Sequence, residues 1–294
     1  MLLRGFPYAT RRGSYPGVIR EQKSGSYLQL TVDRCIVLVP GALSPMRLCR
    51  QIGLIADLQI GLSCPWDCHV YAIRAPNGIV LIDAGSGMAT EALLHNLRED
   101  LGTAEVTAVV LTHAHPDHAC GMAPLLGRSG CQVWVPAPCR EILEQGDEDR
   151  SGLAKARRRG AYPLEMRMRP SPVHHGIEHG EIFEVAGLRF EAFHVSGHSP
   201  DSFCYLTELE CGRSLFAGDV LFYGGVLGLI NAEGSSLDGY RSHLERLKGL
   251  GVDCLFPGHG LFTFRNGQRH IDTAIQELER GFVPRMIGQH DLIF

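Results

Sequence analysis

Residues 111–121 read LTHAHPDHACG, so that His113, His115, Asp117 and His118 crowd into positions 113 to 118. Imidazoles mixed with a carboxylate form a donor set that suits zinc, iron or manganese. The run VTAVVL just before them reads as a buried strand. Side chains at i and i+2 of an extended segment point to the same side, so His113 and His115 can grip one ion together. Pro116 ends the strand, which leaves Asp117 and His118 in the turn opening the next helix, aimed at a second ion. Solvated surface histidines are the plain alternative, and three of them with an aspartate at this spacing argue for a metal instead.

A bound ion needs donors from elsewhere in the chain. Three turns that follow apolar strands offer them: HVSGHSPDS supplies His198, LFAGDVLF supplies Asp219 and LFPGHGLF supplies His259. Each of these residues follows a glycine, which lets the backbone turn tightly and pass close to a metal. Taken singly, AGD or GHG is an ordinary turn. Together the motifs give five histidines and two aspartates.

The elements that must position these residues alternate between two periods. RCIVLVP, HVYAIRA, GIVLIDAG, CQVWV, EIFEVAG, LRFEAFHV, SFCYLTEL, SLFAGD and VDCLFPGHG read as strands. MATEALLHNLRED reads as an amphipathic helix with Thr90 as its cap and Leu93, Leu94 and Leu97 on one face. ACGMAPLL, LDGYRSHLERLKGL and HIDTAIQELERGF are further helices. Strands and helices mixed in this way predict an α+β fold of mixed sheets covered by helices. Residues 1–27, rich in Arg, Gly, Ser and Tyr, read as a loose arm, and 28–294 as one domain. Residues 145–175, charged and then interrupted by proline, read as an insertion over one face. His174, His175 and His179 fall around its end and read as exposed loop residues.

The composition narrows the function. Of 294 residues, 45% are hydrophobic and 20% charged, which is ordinary globular material, and the formal net charge is -4. That balance argues against nucleic acid as a partner. No stretch reaches the roughly 18 uninterrupted apolar residues of a membrane helix. No apolar segment follows the first arginines either, so the chain reads as cytoplasmic with no membrane partner. The ten cysteines are scattered, several in apolar runs, and read as buried thiols; Cys64 and Cys68 are the one pair close enough for a reversible bridge.

With these residues in place, the chain resembles the metallo-β-lactamase superfamily. The H-x-H-x-D-H signature is met at 113–118, the later single ligands match His198, Asp219 and His259, and GIVLIDAGSG is similar to the strand and turn that precede the signature. The resemblance runs from about residue 60 to 262. It implies an αββα sandwich with two Zn2+ ions, or Fe or Mn in their place, at one edge between the sheets. His113, His115 and His198 would hold one ion; Asp117, His118 and His259 would hold the other, and Asp219 would bridge them. Asp83 would orient a ligand histidine, with a turn-capping carboxylate as the alternative. Two cations about 3.5–4 Å apart lower the pKa of a shared water from 15.7 towards 7, so a bridging hydroxide would act as nucleophile with Asp117 nearby to handle protons.

Asp219 resembles the bridging carboxylate of the glyoxalase II, lactonase and phosphodiesterase branches, so β-lactam hydrolysis would be at most a side activity. Only a short segment follows His259, which disfavours glutathione thioesters. Lactonase-like members place a tyrosine three residues after the bridging aspartate; here Phe222 stands there with Tyr223 beside it. Tyr223 is therefore a candidate oxyanion stabiliser, with a packed aromatic as the alternative. Asp201, where many relatives have glycine, reads as a local turn. KARRR at 155–159 could meet an anionic substrate or form a solvated helix face. The expectation is a metal-dependent hydrolase of a small-molecule lactone, ester or thioester, with homo-oligomers left open. An iron-dependent persulfide dioxygenase and a non-catalytic metal-containing binder are the rivals.

Overall fold

A computed structural model of the chain describes strands at 22–24, 27–32, 35–40 and 46–47, and residues 51–56, 62–281 and 284–287. Most of the expected arm at 1–27 lies outside the described residues; within it, Gln22–Ser24 pairs antiparallel with Tyr27–Val32.

Two sheets carry the fold. The first runs in the order His175–Ile177, Gln132–Pro136, Ala108–Val110, Gly78–Ile82, Val70–Ala75, Ile52–Ala56 and Met46–Arg47. Its first four strands are parallel and the remainder antiparallel. The second runs Ile182–Val185, Leu188–His194, Phe203–Leu209, Gly212–Gly218 and Cys254–Pro257, with only the last pair parallel.

Alternation along the strands decides the layers. Val80, Ile82, Ala108 and Val110 point inward and pack with Phe190, Phe216 and Phe256 of the second sheet. Leu81 and Val109 point the other way, against Leu93, Leu94 and Leu97 of the helix Thr90–Leu101. A parallel strand buried on both faces must be apolar throughout, which is why AVV at 108–110 reads as an unbroken run. On the far side of the second sheet, Val195, Leu206 and Leu255 pack against Tyr240, Ile271 and Ile275 from the helices Leu237–His243 and Gly267–Glu279. Helix, sheet, sheet, helix: this is the αββα sandwich. Each fully buried Leu or Phe in these layers contributes about 1.5–3 kcal/mol.

Local details depart from the sequence reading. Thr90 does not cap its helix; its hydroxyl donates to the Gly87 carbonyl at 3.4 Å and Ala89 takes the cap position. His175 is not in a loop but opens an edge strand and meets Glu181 at 2.6 Å. His174 accepts the Val133 amide at 2.9 Å. The segment 145–175 contains one short helix, Leu153–Arg158. All eight described cysteines, Cys64 and Cys68 among them, are free thiols.

Candidate metal centre

Every expected ligand stands at the carboxyl end of a strand. His113, His115, Asp117 and His118 follow Ala108–Val110 in the first sheet. His198, Asp219 and His259 follow Leu188–His194, Gly212–Gly218 and Cys254–Pro257 in the second. The pairs of parallel strands end at the same edge, and the residues just beyond them line one crevice. Gly218 has φ +48° and Gly258 leaves no room for a side chain: a Cβ there would lie 2.7 Å from His118 Cε1 and closer still to Asp219 Oδ1. Glycine before Asp219 and His259 is thus a packing requirement of the site.

The donors fall into two triads. His115 Nδ1 lies 3.1 Å from His113 Nε2 and 2.7 Å from His198 Nε2. Asp117 Oδ2 lies 3.0 Å from His259 Nε2 and 3.6 Å from His118 Nε2. Asp219 stands between them, with Oδ1 3.4 Å from His118 Nε2 and Oδ2 3.6 Å from His198 Nε2 and 3.5 Å from His259 Nε2. Donors about 2.0–2.2 Å from one tetrahedral ion are about 3.3–3.6 Å apart. The contacts of Asp219 and the Asp117–His118 pair have that spacing, while the 2.7–3.1 Å contacts of His115 and of Asp117 with His259 are at hydrogen-bond distance.

Hydrogen bonds behind the ring nitrogens set which of them face the crevice as bare acceptors. Thr112 Oγ1 donates to Asp83 at 3.0 Å, so it accepts from His113 Nδ1 at 3.0 Å and leaves Nε2 unprotonated. His198 Nδ1 donates to the Gly228 carbonyl at 2.6 Å, with the same result. His118 Nδ1 donates to Asp83 Oδ2 at 2.9 Å, and the other Asp83 oxygen accepts the Thr112 amide at 2.7 Å. Asp83, at φ +64°, thus holds the His118 ring through Nδ1. Such outer partners fix the tautomer and direction of a ligand histidine.

The site gathers negative potential. Burial alone would raise Asp117 and Asp219, yet the histidines around them, chiefly His118 for Asp117 and His259 for Asp219, hold both carboxyls below the usual range. Burial, followed by neighbouring histidines, pulls His113 well below its ordinary value and His198 to about 4. Burial would likewise lower His118, but Cys68 and the carboxylates of Asp219, Asp117 and Asp83 raise it. His113 and His198 are thus held neutral and Asp117 and Asp219 ionised, the states that bind metal, whereas the carboxylates raise His118 and His259, which would release a proton to an incoming cation.

These residues fit a cation. His118 Nε2 and Asp219 Oδ1 are buried with no hydrogen-bond partner among the described residues, although buried polar atoms are normally satisfied. The bare nitrogens of His113 and His198 both face His115 Nδ1, whose single proton can serve only one of them. One cation in each triad would satisfy these atoms.

The crevice opens into a cavity of about 340 Å³ whose walls include His115, Asp117, Trp66, Tyr162, Phe222 and Ile230. Phe222, not Tyr223, lines it. Tyr223 begins a tight turn, continued by Gly224 at φ +82°, and packs its ring on His270 with centroids 4.3 Å apart. The phenol at the site comes instead from the insertion: the Tyr162 hydroxyl donates to Asp117 Oδ1 at 2.9 Å. No periodicity marks Tyr162 in GAYPLEM. Asp201 is also more than a turn, since its Oδ2 accepts the Ala114 amide and the Cys139 thiol, both at 2.9 Å, and pins the loop backbone between His113 and His115.

The family model described as the metallo-beta-lactamase superfamily matches residues 65–259. The chain belongs to the metallo-β-lactamase superfamily. Among curated relatives, an atrochrysone carboxyl ACP thioesterase of Aspergillus fumigatus is 28% identical over 202 residues, 68% of this chain and 53% of that protein. The thioesterase pkgB of Emericella nidulans is 26% identical over 192 residues, 65% of this chain and 45% of its own length. The chain thus spans about half the length of these relatives. Among solved structures, the subclass B3 metallo-beta-lactamase BJP-1 of Bradyrhizobium japonicum superposes with a TM-score of 0.61 at 19% identity, covering 82% of this chain and 92% of that one. At that identity the likeness is one of fold. No helix among the described residues is long and apolar enough to cross a membrane.

Proposed function

We propose that this superfamily member is a dinuclear zinc thioesterase, cleaving an acyl thioester to an acid and a thiol. The observation that carries the proposal is the convergence of His113, His115, His198, Asp117, His118, His259 and Asp219 at the mouth of an apolar-walled cavity. The thioesterase names of the fungal relatives favour thioesters among the lactones, esters and thioesters that such a site could open. When bound, the ions supply Lewis acidity, polarising a carbonyl oxygen and lowering the pKa of water from 15.7 to about 7.

The chain's own residues supply the remainder. Trp66, Phe222 and Ile230 offer an apolar wall for the acyl group and displace water from beside the carbonyl. Burial and the charge of Asp117 push the Tyr162 phenol well up, so it stays protonated and holds Asp117 Oδ1 in place through its single O–H. Asp117, reached by that phenol, is placed to pass on the proton released from water. A departing thiol has a pKa near 8.5, so its expulsion needs little protonation in advance.

The test is hydrolysis by the zinc-loaded chain across thioesters, lactones, β-lactams and phosphodiesters, with and without a chelator. Thioesters should be the best substrates and turnover should cease on chelation. Faster turnover of a lactone or phosphodiester, or turnover indifferent to chelator, would overturn the proposal.

A further inference from the structure

A second cavity, of about 620 Å³, adjoins the first, and His115 and Ala161 form part of the wall of both. Its character is different. Where the first is walled by aromatic and aliphatic groups, this one carries Lys155, Arg158 and Arg159. All three come from the run KARRR, in a chain whose net charge is -4.

The helix Leu153–Arg158 sorts that run by direction. Arg157 turns into the protein, where it pairs with Glu148 and donates to the Met166 carbonyl at 2.7 Å. Lys155, Arg158 and Arg159, at i, i+3 and i+4, share another face. Among the described residues none of these three makes an ion pair, as is also true of scattered cations such as Arg98 and Arg189; what sets the three apart is that they lie on one wall of one cavity. Like charges at this spacing repel and weaken a helix. Two exposed carboxylates, Asp149 and Glu233, also border the cavity. Asp201 reaches its wall as well, but is committed to the Ala114 amide and the Cys139 thiol. Arg150 is there too, already engaged by Glu141 at 2.6 Å.

We propose that this cavity receives the phosphate of a thiol carrier, so that the substrate is a thioester of a pantetheine-phosphate-type arm. The inference rests on the thioesterase reading. With the carbonyl beside His115, an acyl group enters the apolar cavity while the thiol side of the molecule runs into the cationic one. The three cations then meet a dianionic phosphate rather than bulk solvent. Phosphate is favoured over a single carboxylate because three convergent cations match its charge and its several acceptor oxygens.

Calorimetric titration of the zinc-loaded full chain with pantetheine 4′-phosphate and with pantetheine, which differ only in the phosphate, tests the assignment. The phosphorylated ligand should bind at least about tenfold tighter, as expected for charge-assisted hydrogen bonds. The Lys155→Ala/Arg158→Ala/Arg159→Ala variant should lose that preference. Equal binding of the two ligands, or a preference that survives in the variant, overturns it. Should the variant not fold, a salt titration of the wild type decides the same question. The Debye length falls from about 10 Å at 0.1 M to about 3 Å at 1 M, so an electrostatic preference must shrink and an unchanged one refutes it. Hydrolysis separates this inference from the reading beneath it. Turnover of a neutral N-acetylcysteamine thioester as efficient as that of every phosphorylated thioester removes the phosphate site and leaves the thioesterase standing; no thioester turnover at all removes both. A lower KM for coenzyme A thioesters than for the carrier-protein-bound form assigns a nucleotide source for the arm, and the reverse order assigns a protein source.

Discussion

Asp83→Asn is a one-atom change that should weaken one of the two proposed metal sites. The Asp83 carboxylate, 1% exposed, accepts the Thr112 amide at 2.7 Å on one oxygen and His118 Nδ1 at 2.9 Å on the other. Asparagine offers one oxygen and one NH2. The Thr112 amide hydrogen is fixed by the backbone and takes the oxygen, so the NH2 faces His118 Nδ1. Two donors cannot face each other, and the ring proton is the one that can move. His118 must shift it to Nε2, the atom that stands 3.4 Å from Asp219 Oδ1 and 3.6 Å from Asp117 Oδ2. A nitrogen carrying a proton toward the crevice no longer ligates. Loss of an outer partner of this kind lowers metal affinity about 10–100-fold, or about 1.4–2.8 kcal/mol. Competition against a chromogenic zinc chelator should show one tight and one weakened equivalent per chain, with circular dichroism unchanged. Two equivalents at wild-type affinity in a folded variant would refute the reasoning.

Tyr162→Phe removes the donor to Asp117 Oδ1 while keeping the ring, so kcat should fall about 10–100-fold, by the 1.5–3 kcal/mol typical of a bond to a charged group, with zinc content unchanged; an unaltered kcat would reduce Tyr162 to packing. Gly258→Ala pushes a methyl into His118 and Asp219, and a thermal melt should show a loss of about 1–3 kcal/mol together with lost metal; normal stability and zinc content would contradict the packing argument. His270 is held neutral by accepting the Gly224 amide at 3.0 Å, and burial, then Arg269 and Arg285, lower its pKa to about 4. The unfolded histidine takes up a proton below about 6.5, so this contribution is intact above that pH and is lost as pH falls towards 4, by up to about 3 kcal/mol. His270→Asn should therefore show a shallower fall in melting temperature between pH 6.5 and 4, and an identical slope would refute the assignment.

The parts of the fold and site that were legible in the sequence share a physical reason. AVV at 108–110 is buried on both faces, so its apolar run survives as a readable pattern. His113, His115 and His118 sit on the short segment that joins the strand Ala108–Val110, which ends earlier than the sequence suggests, to the helix opened by Pro116, and Asp219 and His259 follow glycines that leave no room for a Cβ. Tyr162 was not legible because it reaches Asp117 across 45 positions from an irregular segment, where no period constrains residue type. Tyr223 was misplaced by register: one residue decides which aromatic faces the cavity, and the turn at Gly224 and Gly225 presents Phe222. Asp201 looked like a turn residue because its partners, Ala114 and Cys139, are far away in the chain. Long-range polar pairings of this kind leave no local trace.

The central claim is that seven side chains hold two cations. Anomalous diffraction at the zinc edge from a zinc-loaded crystal tests it most directly. Two peaks are expected, one among His113, His115 and His198 and the other among Asp117, His118 and His259, with Asp219 touching both. A single peak, or zinc bound elsewhere on the chain with these residues left bare, would contradict it.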